Sequence, residues 1–112
     1  MTSDALRLTG HLDTAVSGFA EYVASEDNLF SRDSVHGVFA ACSDFVREQS
    51  LDPGAWDRLA DLVNSTVGAT EASLTNAACT CFLENLAHLS HPLNSRLQGD
   101  ALAFWRRWCE GV

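Results

Sequence analysis

The chain has 112 residues, 46% hydrophobic and 20% charged, which suits one domain built around one core. Fifteen acidic residues face seven arginines and no lysine, a formal net charge of −8 at pH 7. That balance disfavours nucleic acid and anionic membrane as partners and attracts basic ones. No apolar run approaches the ~20 residues of a membrane span.

The start, Met1-Thr2-Ser3-Asp4, lacks the basic segment of a signal peptide. The expectation is therefore a complete cytoplasmic chain, and arginine without lysine suggests a GC-rich bacterial genome. The charge is uneven. Residues 1–61 hold eleven acids against four arginines, a net −7, and residues 62–112 hold four against three, a net −1.

Apolar spacing predicts five helical segments and no strand. The first runs from about Asp4 to Ala24, with Ala5, Leu8, Leu12, Ala15, Val16, Phe19, Tyr22 and Val23 on one face. Gly10 and Gly18 weaken it and mark close packing or a bend. The second, about Arg32 to Gln49, is capped by Ser31 or Asp33 and buries Val35, Val38, Phe39, Cys42, Phe45 and Val46. Its outer face carries Asp44 and Glu48, with Arg47 nearby.

Asp52-Pro53 starts the third helix: Asp caps, and Pro occupies the first turn, where its missing N–H is not needed. Trp56, Leu59, Ala60, Val63 and Val67 line its core side, to about Gly68, while Asp57 and Asp61 lie outside with Arg58 between them. The fourth, about Glu71 to Leu89 and capped by Thr70, carries Leu74, Ala78, Cys81, Phe82, Asn85, Leu86 and Leu89, with Leu83 on the opposite side. Apolar residues reach most of the way round it, so it should be central. The last segment begins near Pro92 or Asn94, breaks at Gly99 and is recapped by Asp100, with Ala101, Phe104, Trp105 and Trp108 on one face. Short loops favour antiparallel neighbours, so the expected fold is all-α: a compact single-domain bundle of about five helices, or HEAT-like stacked hairpins.

Four cysteines, Cys42, Cys79, Cys81 and Cys109, are read as structural thiols, because nothing supplies an oxidising compartment. Within a helix, Cys79 and Cys81 point about 200° apart and share neither a disulfide nor a metal. Glu84, His88 and His91 fall on one flank, but without zincin or di-iron spacing they fit a helix C-terminus, where histidine is favoured. Asn85, on an apolar face, must find partners. It serves either as a lock on a loop backbone or as a polar group in a ligand cleft. The tail Phe104-Trp105-Arg106-Arg107-Trp108 fits core packing with exposed arginines, or a homodimer contact, better than base stacking at this net charge.

There is no Gly-x-Ser-x-Gly elbow and no Gly-rich phosphate loop, so no catalytic constellation, metal or cofactor is expected. The remaining candidate is an acidic patch of Glu26, Asp27, Asp44, Glu48, Asp57 and Asp61, which forms if the second and third helices are neighbours.

Cys81-Phe82-Leu83-Glu84-Asn85-Leu86, and the segment after Pro92 with Leu97, Gly99 and the aromatic tail, resemble small bacterial helical proteins of HEAT-like hairpin character. Some of those look like immunity proteins of toxin systems. The resemblance covers the C-terminal third and implies a protein-binding role. The expected function is an acidic interaction module, in its specific form an immunity protein capping a basic toxin. The alternative is a regulatory helical domain that binds a small molecule or metal near Asn85.

Overall fold

In the computed structural model, residues 3–24, 34–49, 51–67, 71–86 and 92–110 are described. Every regular element among them is helical: α1 (Ser3–Ala15), α2 (Phe19–Ala24), α3 (Val35–Glu48), α4 (Pro53–Val67), α5 (Ala72–Ala77), a π-helical turn (Ala78–Leu83), α6 (Glu84–Leu86), a 3-10 turn (Pro92–Ser95) and α7 (Gly99–Glu110). The expected all-α fold is the observed one.

The single first helix of the sequence reading is two helices. Gly18 adopts φ +96°, a left-handed value that L-residues avoid, and the chain turns there. Two side chains close the break. Asp13 Oδ1 accepts the Ala20 N–H at 3.0 Å and so caps α2. Arg58 Nε of α4 donates to the Ala15 carbonyl at 3.1 Å, satisfying the C-terminus of α1. The turn swings Phe19 and Tyr22 onto Phe45 of α3, with ring centroids 5.7 and 5.1 Å apart.

Ser34 caps α3, its Oγ accepting the Gly37 N–H at 3.1 Å. The expected caps Ser31 and Asp33 lie outside the described residues. The whole expected stripe of α3, Val35 to Val46, is buried. Asp52 caps α4 as anticipated, with Oδ1 3.2 Å from the Ala55 N–H, and Trp56, Leu59, Ala60, Val63 and Val67 are buried.

The fourth segment departs from a plain α-helix. The expected cap Thr70 lies outside the described residues. Glu71 occupies the cap position and makes no side-chain cap bond. Between Ala78 and Leu83 the ladder widens, and the Glu84 N–H reaches back five residues to the Cys79 carbonyl. The expected buried face is also corrected. Cys79 and Leu83 are buried beside Ala78, Phe82 and Leu86, while Cys81 is only half-buried. This stretch is central: α3 and α4 both pack against α5 and the π-helical turn, and α7 against the turn.

Leu93, Leu97, Ala101 and Trp105 complete one continuous core. Phe104 is half-buried under the Arg107 guanidinium, 5.8 Å from its ring centroid. The Trp108 side chain lies outside the described residues.

Cys42 is fully buried, and Cys79 is buried; both are free thiols. Burial pushes both thiols above the ordinary range, and Arg107 partly offsets this at Cys79.

Two predictions follow from this packing. Gly10 is exposed within α1, and a Cβ there would meet nothing within 4 Å. Gly10→Ala is therefore expected to stabilise the fold by about 0.5–1 kcal/mol, and Gly18→Ala to destabilise it by about 1–2 kcal/mol, in urea unfolding. The second concerns pH. The folded chain holds the Cys42 proton while the unfolded chain releases it, so stability should decline as pH rises past about 8.5. Cys42→Ala is expected to flatten that decline, measured as unfolding free energy against pH.

Candidate functional site

The outer face of α4 presents Asp57 and Asp61 one turn apart. Asp57, 65% exposed at its side chain, accepts from Arg96 Nε at 2.7 Å. Arg96 arrives from a distant part of the chain, and its backbone is fixed twice. The 3-10 turn holds it through Arg96 N–H to the Leu93 carbonyl at 2.9 Å. The Asn64 side chain of α4 does the rest: Nδ2 donates to the Arg96 carbonyl at 3.2 Å, and Oδ1 accepts the Gln98 N–H at 2.9 Å. Asp57, Ala60, Asp61, Arg96 and Gln98 together line an open concavity of about 350 Å³. Asp61 is exposed and its carboxylate has no partner among the described residues. The concavity thus holds two carboxylates and one guanidinium, with a net negative charge.

Asp44 and Glu48 lie elsewhere. On α3, Asp44 pairs with Arg47 within its own helix. Both acids stand near Tyr22 of α2. Burial raises the Tyr22 hydroxyl above its ordinary range, and the negative charges of Glu48 and Asp44 raise it further. α3 and α4 each pack on α1 and α5 but make little contact with each other. The condition for one acidic patch is therefore not met. Asp44 and Glu48 are framed by α2, and Asp57 and Asp61 by the segment ahead of α7. Glu26 and Asp27 lie outside the described residues.

Asn64, a half-buried residue on the flank of α4, forms an amide lock of the kind expected at Asn85. The Asn85 side chain lies outside the described residues, as do His88 and His91. Among the described residues no three His, Cys, Asp or Glu side chains gather as a metal site would require, and no described helix is long and apolar enough to cross a membrane. No pattern in the sequence marks Asn64, because its partners are backbone atoms 32 and 34 residues away. Arg96 is equally silent, since nothing local indicates that it will meet Asp57.

No family model matches the chain, and neither does any curated protein or solved structure.

Asn64→Ala removes both bonds and leaves the Gln98 N–H and the Arg96 carbonyl to find water. The expected cost is about 1–2 kcal/mol in chemical denaturation. Amide exchange should quicken at Gln98 while the core of α3 stays protected.

Proposed function

We propose that this chain is an acidic protein-interaction module whose partner presents a basic surface. The specific form is an immunity protein that caps the basic cleft of a toxin. The observation that carries this reading is the open concavity at Asp57 and Asp61, on a chain of net charge −8. Asp61 is exposed with its carboxylate unpaired among the described residues, and Asp57 keeps most of its surface while holding Arg96. Such a site suits a cationic side chain from a partner, which would displace water and not an existing ion pair at Asp61.

Long-range attraction by the net charge speeds encounter, and the local carboxylates set orientation. The affinity of such interfaces comes chiefly from a few well-packed central contacts, with charge deciding rate and partner choice. Asp44 and Glu48, on their separate face, contribute to the general field and not to this contact.

The test uses the tagged chain and lysate of the source organism. The wild type is expected to retain one basic protein in stoichiometric amount at low salt and to release it at high salt. With that partner purified, Asp61→Asn should slow association a few-fold and flatten its salt dependence, leaving the unfolding midpoint unchanged. The double change Asp57→Asn with Asp61→Asn should slow it further, though it also frees Arg96. Association indifferent to salt and to Asp61→Asn rules the reading out.

A further inference from the structure

A second concavity, of about 140 Å³, opens between α1, α4 and α5 on a face that the acidic site does not use. Its apolar lining is Leu8, Leu62 and Leu74, the first buried and the others half-buried. Its charged lining comes from α1 alone. Asp4, Arg7 and His11 follow one another at helical-turn spacing, so carboxylate, guanidinium and imidazole line one edge in sequence. Thr66 also lines the space, but its hydroxyl already donates to the Leu62 carbonyl at 2.8 Å. Charge recognition is thus left to the three α1 side chains.

Asp4 and Arg7 stand three residues apart, where an ion pair would be ordinary. They make none, and neither side chain has a partner among the described residues. Most other described arginines are engaged: Arg47 with Asp44, Arg58 with the Ala15 carbonyl, Arg96 with Asp57, and Arg107 over Phe104. At this cleft a cation and an anion, both without a partner among the described residues, flank an apolar surface.

We propose that this cleft binds a small apolar α-amino acid as its zwitterion. The ligand carboxylate lies on Arg7 and His11, the ammonium on Asp4, and the aliphatic side chain on Leu8, Leu62 and Leu74. A simple organic anion fits less well, because Asp4 repels it. A simple amine fits less well, because Arg7 does. Size agrees, since an apolar cavity of about 150 Å³ accommodates benzene, and a branched four-carbon side chain is of that order. The inference is independent of the acidic face on α4.

The experiment is a titration of the full chain, followed by amide NMR shifts. Three probes are compared: L-leucine, 4-methylpentanoate (leucine without its amino group) and 3-methylbutylamine (leucine without its carboxylate). Leucine is expected to give saturable shifts at residues 4–11, 62–66 and 74, with millimolar affinity. Each analogue should bind about two- to fivefold more weakly, the worth of one exposed ionic contact. Arg7→Gln should bring leucine down to the level of the amine, and Asp4→Asn to the level of the carboxylate. Both side chains are exposed, so the remaining spectrum should stay dispersed and unmoved. Binding of 4-methylpentanoate equal to or tighter than leucine overturns the proposal, as do non-saturable shifts for all three probes or shifts confined to other elements.

Discussion

The stretch Ala77–Leu86 is apolar on most sides, and the arrangement of the other helices follows from covering it. Ala77, Ala78, Cys79, Phe82, Leu83 and Leu86 are all buried. A helix apolar over most of its circumference cannot lie on a surface. Here α3 and α4 flank it, and α7 packs against the π-helical turn. Phe82 meets Phe39 of α3 at 6.0 Å between centroids. Burying one such ring contributes about 1.5–3 kcal/mol, so exposing this stretch would cost more than a small domain can spare. The same arrangement separates the acids. Because α3 and α4 flank the central stretch with little contact between them, their outer faces do not merge into one patch.

Helix ends are closed by side chains from elsewhere in the fold. An isolated helix leaves unsatisfied N–H and carbonyl groups at its termini. Arg58 answers the end of α1, Asp13 the start of α2, and the Thr75 hydroxyl donates to the Thr66 carbonyl at 3.1 Å near the end of α4. Asn64 does the same for the segment between the 3-10 turn and α7. Among the described residues no buried side-chain nitrogen or oxygen lacks a partner. Each closure ties a local event to a tertiary neighbour, so the short helices form as part of the whole and not alone.

Four of the arginines are held by local contacts while part of the acidic surface is not. Arg47, Arg58, Arg96 and Arg107 are drawn into pairing, helix closure or stacking. Asp61 and Glu48 stay exposed. An acidic exterior of this kind attracts cations over about a Debye length and reads them specifically only where geometry holds a carboxylate in place. At Asp57 that geometry is set by Arg96, whose backbone is placed by Asn64.

The helices and most of their buried faces were legible in the sequence, because a 3.6-residue period is a local property of the chain. Val35 to Val46 on α3 and Trp56 to Val67 on α4 are the clearest cases. Asp52-Pro53 marked a helix start for the same reason: the cap and its N–H lie three residues apart. Other features were decided only by tertiary structure. Gly18 could bend a helix or break it, and the break holds because Arg58, 43 residues from Ala15, closes the exposed end. Cys79 and Leu83, outside the expected face, are in the core because neighbouring helices cover this stretch on several sides. Which acids share a surface, and that Asn64 locks the segment ahead of α7, depend on distances between segments far apart in the chain. Periodicity reports which face a residue occupies within its helix; only packing determines what that face meets.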